Sequence, residues 1–488
     1  LIVSSLNILE LLPEIVLLAF ALIILCVDMV LKIENKKRLW DIAFAGLLII
    51  LVLIAKSFSG SWIAGGEAFH GQAITDGLTV FIRLIIVSAL FITLILAVDW
   101  LNDKPNQIGI FAFLTMISSL GALVLSSAGD LLIMLIGLEI LSVPLYILAG
   151  FQREKAEGRE ASFKYFILGS FASAFLALGI VLIFMETSTI SLSQIKLSSL
   201  SGLPAGIPMK IGLALVIATF AFKGGLMPFY AWIPDVYTGS PDYVVGFMAA
   251  VAKVSVFAAL IRIGVAFAPV AGSTLIGLLA FMFILTVILG NLMALWQDDV
   301  KRMLAYSSIA HAGYLLLGLM AFNQLGLSSI VFYLIIYSFA AIGSFALTGI
   351  VYQLRGDYNL NSFDGLHEHS PLLAVAMSIF MFTFAGIPPL AGFFSKMFLF
   401  NGAIDKGLSR YVVIASIASL IGVYYYLRVI LRMYMKPLPE GAEIQKIEIP
   451  GFYTKTALFL ASVLVIILGL VPGRFYDAAY LFLKTLFI

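Results

Sequence analysis

The chain has 488 residues, 62% of them hydrophobic and only 11% charged, with a net charge of +2 and a mean hydropathy of +1.10. So few charges cannot clothe soluble domains holding this much apolar side chain, which predicts an all-α polytopic membrane protein; the near-zero net charge gives no ground for a nucleic-acid partner. The single cysteine, Cys26, excludes an internal disulfide and a Cys-held metal or iron–sulfur site, and reads as a buried apolar filler of the first span.

Runs of roughly 20 apolar residues predict fourteen spans, near 8–31, 40–58, 77–98, 108–126, 130–150, 161–185, 211–232, 244–267, 272–295, 302–321, 327–352, 371–400, 409–435 and 454–471. With no basic n-region or small-residue cleavage site, 8–31 reads as a retained helix. In the third span Arg83 lies deep in LTVFIRLIIVSAL and demands a carboxylate partner that the sequence does not identify. Glu139 lies mid-span in LLIMLIGLEILSVPLY, either as a structural partner for a lysine on a neighbouring helix or as a modulator of that lysine's proton affinity.

The seventh span carries the densest signal. Lys223 ends an uncharged run, IGLALVIATFAF, and begins KGGLMPFYAWIPD. Two glycines and two prolines there predict a broken helix, tolerated at depth only where protein or water satisfies the freed backbone. A titratable group beside such a break reads first as an ion or proton site. Lys253 follows in FMAAVAKVSVFAAL, about ten residues from either helix end, which makes snorkelling to an interface awkward. Arg262 and Arg428 lie near span ends and read as anchors. His311, among small residues, reads equally as a satisfied core histidine and as a relay. Lys396 follows a second break, AGIPPLAGFFSK, by one helical turn, where the N-terminal dipole of a half-helix would ease proton release. After residue 471 the chain reads as a short apolar tail at the interface.

Basic residues fall in alternate connectors: Lys32, Lys36, Lys37 and Arg38; Lys104; Arg153, Lys155 and Arg159; Lys301 and Arg302; Arg355; and Arg432, Lys436 and Lys446. The intervening connectors hold only Lys196, Lys210, Lys406 and Arg410. This asymmetry places the first set in the cytoplasm and, with an even number of spans, both termini outside.

The buried ionisable residues also repeat. Lys223 follows Glu139 by 84 positions and Lys253 follows Lys223 by 30; Lys396 follows His311 by 85 and Arg428 follows Lys396 by 32. The spacing predicts two inverted five-helix repeats, each with a broken helix, over 108–267 and 268–435, preceded by a three-helix segment (1–107) and followed by a terminal helix and tail (436–488). Neither GxGxxG nor Walker A spacing occurs, and no flavin or haem signature is present, so no cofactor is expected in this chain.

The segments KGGLMPFYAWIPDVYTGSPDYVVGFMAAVAKVSVFAAL, GNLMALWQDDVKRMLAYSSIAHAGYLLLG and AGIPPLAGFFSKMFLF resemble the antiporter-like membrane subunits of respiratory complex I, the bacterial proton-pumping NADH:quinone oxidoreductase. The resemblance covers roughly 110–430. In that family a glutamate on the fifth helix and lysines on the broken seventh, the eighth and the broken twelfth helices form a proton channel along a hydrophilic central axis. Glu139, Lys223, Lys253 and Lys396 match those positions.

The resemblance thus implies a translocase subunit of the bacterial inner membrane. Its partners would be other antiporter-like and small membrane subunits and the lipid bilayer. NADH, FMN, iron–sulfur clusters and quinone would belong to partner subunits. Asp242-Tyr243 departs from the small residues or proline usual after the SP turn, which puts local partner contacts in doubt. Cation/proton antiporters and membrane-bound hydrogenases share this helix set and stand as alternatives, as does a stand-alone solute carrier binding an anion at the broken helices.

Overall fold

Helix after helix, the computed structural model follows the apolar runs; it describes residues 7–58, 66–199, 205–437 and 451–484. Lys446 lies outside these described residues. Helices α1 (Leu12–Val30) and α2 (Leu39–Phe58) are followed by a short antiparallel hairpin, β1 (Gly66–Ala68) and β2 (Ala73–Thr75). Then come α3 (Gly77–Trp100), α4 (Pro105–Ser127), α5 (Leu131–Ala149), α6 (Ala156–Thr187), α7 (Leu192–Ser199) and α8 (Ile207–Gly224). The short α9 (Trp232–Gly239) and α10 (Asp242–Phe247) lead through a π-helical turn, Met248–Ala252, into α11 (Lys253–Leu295), which is divided at Ala271 by a non-helical backbone two residues after Pro269. The second half holds α12 (Val300–Ala321), α13 (Gln324–Arg355), α14 (Leu366–His369), α15 (Pro371–Ala385), α16 (Ala391–Asp405), α17 (Ser409–Met435), α18 (Phe452–Leu470) and α19 (Pro472–Leu483).

Among the described residues thirteen helices are long and apolar enough to cross a membrane. The expected fourteenth, 371–400, is divided into α15 and α16, each too short to span alone. The most apolar stretch of the run Asp242–Pro269 is wholly buried, and those of α12 and α13 nearly so. By contrast α6 is buried over only a third of its most apolar stretch and turns Phe163, Phe171 and Met185 outward. The core is therefore a column of central helices, with α13 packed against α3, α12, α15, α16, α18 and α19.

The two breaks are built alike. Gly225 (φ 75°) ends α8 and Gly386 (φ 80°) ends α15, both in the left-handed region that a Cβ disfavours. In each, the amide two residues beyond the helix reaches back five positions, Leu226 N to Ala221 O (2.8 Å) and Ile387 N to Phe382 O (3.1 Å), the pairing of a Schellman cap.

A second local pattern recurs 169 residues apart. Asp130 caps α5 through the Ile133 amide, and Asp299 caps α12 through the Arg302 amide. Each aspartate also forms a β-bridge with the loop after the following long helix, Asp130 with Ser191 and Asp299 with Asn359.

Several sequence expectations are corrected here. Cys26 is exposed on the side of α1, not buried. The C-terminal tail is a helix docked on the body: Phe482 meets Phe58 and Phe81 edge-on at 5.1 and 5.5 Å, and Tyr476 stacks on Phe398 at 4.1 Å. Lys301, read as a connector residue, is buried and lies 3.0 Å from Asp242.

Candidate functional site

Lys223, Lys253, His311 and Lys396 are 3–7% exposed, and all four project into the central column. Burying an ammonium without compensation is costly, so what each one touches decides what it can do.

Lys223 sits one residue before the end of α8 and sends Nζ to the Tyr146 hydroxyl at 2.8 Å, over the faces of Tyr146 and Tyr165. The carbonyl of Phe222, which accepts the Gly225 amide at 3.2 Å, also accepts the Trp232 indole N–H at 2.7 Å. Glu139 does not pair with Lys223. It is half-buried, accepts a short hydrogen bond from the Ser173 hydroxyl, and precedes Tyr146 by seven residues on the same face of α5. That separation is about 10 Å along the helix, and it is Tyr146, not Glu139, that meets the ammonium.

Lys253 follows the π turn and is held by Ser308 O (2.5 Å), Ser308 Oγ (2.7 Å) and the Tyr337 hydroxyl (3.2 Å). Such turns displace the side chains that follow them and recur at functional positions. His311, three residues beyond Ser308, uses both ring nitrogens: Nδ1 lies 2.6 Å from Tyr333 OH and Nε2 3.0 Å from Tyr426 OH. Tyr426 in turn meets Ser307 in a short hydrogen bond. Beside it, Tyr425 donates to Asn291 Oδ1 (3.0 Å), and Asn291 Nδ2 donates to Tyr314 OH (3.1 Å).

Lys396 completes the line, its ammonium 5.2 Å from the centre of the Tyr314 ring. It was expected to feel the N-terminal dipole of its own half-helix. Instead Nζ reaches back across the break to Phe384 O (2.9 Å) and Ala385 O (3.1 Å), at the carbonyl end of α15, and to Ser419 Oγ (2.9 Å). The ammonium therefore satisfies carbonyls that the break leaves without helical partners. Gly386 leaves room for this, since a Cβ there would lie 3.3 Å from Nζ.

From Lys253 to Lys396 the contacts form a nearly continuous row of hydroxyls, one imidazole and one amide. Hydroxyls and imidazole both donate and accept, so such a row can pass a proton by exchange of hydrogen bonds. Among the described residues no carboxylate lies within 4.0 Å of Lys223, Lys253 or Lys396.

The other buried cations behave differently. Arg83 finds the partner the sequence could not name, Glu14 of α1, through Nε at 2.8 Å and Nη2 at 3.0 Å. Arg262 is no loose anchor: it is buried and forms a two-pronged pair with Asp76 at 2.9 and 3.0 Å. Arg428 pairs with exposed Asp298 at 2.6 Å, away from the axis.

A family model described as NADH:quinone oxidoreductase/Mrp antiporter, TM matches residues 128–422. The chain belongs to this family. The match spans both broken helices and Glu139, Lys223, Lys253, His311 and Lys396. NADH-quinone oxidoreductase subunit N 1 of Thermodesulfovibrio yellowstonii is 37% identical over 467 residues, covering 95% of this chain and 96% of that one. Subunit N of Trichlorobacter lovleyi is 33% identical, covering 98% and 97%. Among solved structures, a chain of respiratory complex I from Thermus thermophilus with bound aureothin is 32% identical with a TM-score of 0.79, covering 96% of this chain and 99% of that one. A chain of the Mrp complex from Dietzia has a TM-score of 0.84 at 20% identity, covering 97% of each, and so shares the fold.

Proposed function

We propose that this chain is a proton-translocating membrane subunit of NADH:quinone oxidoreductase. Protons move along Glu139, Lys223, Lys253, His311 and Lys396, driven by quinone reduction in partner subunits. The observation that carries this reading is the set of three buried lysines held by hydroxyls and carbonyls instead of carboxylates. Each can lose its proton without stranding a buried anion, which a lysine paired to a carboxylate cannot do. Moving one charge against the membrane potential costs about 2.3 kcal/mol per 100 mV, so the lysines must change affinity and access during the cycle.

NADH, FMN, the iron–sulfur clusters and quinone belong to partner subunits. The bilayer is the bacterial inner membrane, the basic connectors face the cytoplasm and both termini lie outside. The recurring aspartate cap and β-bridge at the start of α5 and α12 support a two-repeat organisation over 108–267 and 268–435, with 1–107 and 436–488 flanking it. The likeness in fold to the Mrp complex does not separate complex I from an antiporter; the subunit N relatives at 33–37% identity over nearly the whole chain favour complex I.

The test is purification through a tag on this chain. The complex should oxidise NADH with quinone and acidify the lumen of inside-out vesicles. A complex that exchanges sodium for protons and lacks NADH oxidation would overturn the assignment.

A further inference from the structure

We propose that the cavity floored by Asp242, Lys301 and Tyr358 is the mouth through which protons from bulk water reach Lys253. The inference rests on the reading that Lys253 takes up and releases protons.

The cavity, of about 430 Å³, has an exposed rim that includes Lys155, Glu157 and Gln353. Its floor is polar and buried. Lys301 Nζ lies 3.0 Å from Asp242 Oδ1 and donates to Ser240 O (2.7 Å) and Tyr358 OH (3.2 Å), while Tyr358 donates to Asp242 Oδ2 (2.9 Å). Asp242 Oδ1, although beside the ammonium, receives no directed hydrogen bond from the described residues, so it retains a free lone pair. Gly349 makes room for this carboxylate: a Cβ there would come within 2.7–2.9 Å of the Asp242 side chain. The floor is thus a buried ion pair whose carboxylate side chain, 12% exposed, lines the cavity.

Two helices connect this floor to the axis. Asp242 lies eleven residues before Lys253 on one continuous helical run, and Lys301 lies seven residues before Ser308 on α12. At 1.5 Å per residue these are descents of about 16 Å and about 10 Å. The difference of about 6 Å matches a lysine side chain extended toward the N-terminus of its own helix, the direction helical side chains take. Lys253 Nζ indeed meets Ser308. The ion pair therefore lies about two turns above the lysine head group, with Tyr237 buried between α9 and Ser308.

In the proposed step a hydronium in the cavity gives its proton to the Asp242 carboxylate and becomes water. Lys301, now facing a neutral acid, releases one proton inward to water bridging the roughly 10 Å to Ser308; neutral Lys253 takes a proton there, and Lys301 then takes the proton held by Asp242. The pair returns to its starting state and one proton has entered. Asp299, Lys155 and Glu157 are the other charged groups facing this pair, and none of them leads inward.

Asp242→Asn in the reconstituted complex should slow coupled quinone reduction several-fold at alkaline pH on the cavity side. The loss should shrink as that side is acidified, and formate should restore part of the rate. Because this variant strands Lys301, the double variant Asp242→Asn with Lys301→Gln is the cleaner measurement, since it removes both charges together. The proposal predicts that the double variant is equally slow and, because it lacks the Lys301 ammonium that hands the proton inward, is not rescued by formate. Recovery of wild-type turnover and pH profile in the double variant would make the pair purely structural and overturn the proposal. Lys253→Ala in the same preparation separates the two levels: if it too pumps normally, the axial reading itself fails.

Discussion

Arg83 and Arg262 are as deeply buried as Lys223, Lys253 and Lys396, yet only the arginines have carboxylates beside them. The arginines tie together segments distant in sequence, Glu14 of α1 to α3 and the residue capping α3 to the helical run 242–269. A buried guanidinium is stabilised by a fixed anion that matches its forked donors. The lysines are surrounded by hydroxyls, ring faces and helix-end carbonyls, groups that favour the ammonium without compelling it. In the proposed function one set of buried cations holds the fold and the other titrates.

The largest effect that would break this division is expected at Lys253. Lys253→Ala should lower proton pumping by roughly 10²-fold, the low end of what a positioned proton-transferring group contributes. Complex content, read on native gels, should stay near wild type, because the hydroxyls of Ser308 and Tyr337 can pair with each other as they already do at 2.7 Å.

Glu14→Gln should do the reverse. Removing one partner of a buried pair costs about 3–5 kcal/mol, so the amount of assembled complex should fall while pumping per assembled complex is unchanged. Normal assembly with failed pumping would move Arg83 into the functional set.

Acid should act on the structural set as well. Burial by itself would raise the Asp76 carboxyl, but the Arg262 charge and the hydrogen bonds from Arg262 and Thr79 outweigh it and hold the group below the ordinary carboxylate range. A carboxylate so lowered contributes stability that is complete above that range and fades as pH falls through the lowered value. Thermal unfolding of the detergent-solubilised complex should therefore lose stability on acidification, and Asp76→Asn should flatten that dependence.

The smallest effect is expected at Glu139. With about 10 Å of helix between Glu139 and Tyr146, the α5 residue that meets Lys223, the carboxylate and the ammonium should be only weakly coupled. Glu139→Gln should slow pumping mildly, Glu139→Asp less, and the double variant with Lys223→Ala should be little worse than Lys223→Ala alone. Independent, additive losses in reconstituted vesicles would remove Glu139 from the lysine's circuit.

What the sequence disclosed and what it withheld divide along the same physical line. Long apolar runs, glycine–proline breaks and lone lysines are local signals, and they fell where the structure places them apart from the divided run 371–400 and the buried Lys301. Partners across the fold are not local. Glu14 lies 69 residues from Arg83 and Asp242 lies 59 from Lys301, so no window of sequence joins them. The hydroxyls of the axis were hidden for a different reason. Serines and threonines on these helices mostly return a hydrogen bond to their own helix, as Ser142 does to Leu138 O and Thr348 to Ser344 O. Nothing in the residue type marks Ser308 or Tyr337 as facing a lysine. The signal available for them was spacing: Ser308 and His311 lie one turn apart, on the face where the axis runs.

The most direct test of the division is arginine in place of an axial lysine. Lys253→Arg keeps a positive charge and its hydrogen-bond donors but cannot deprotonate in the working range. Proton pumping by the reconstituted complex should be lost with Lys253→Arg while the assembled complex is retained. Pumping at the wild-type rate with arginine at this position would contradict the account, because a permanently charged group would then suffice where no carboxylate among the described residues holds one.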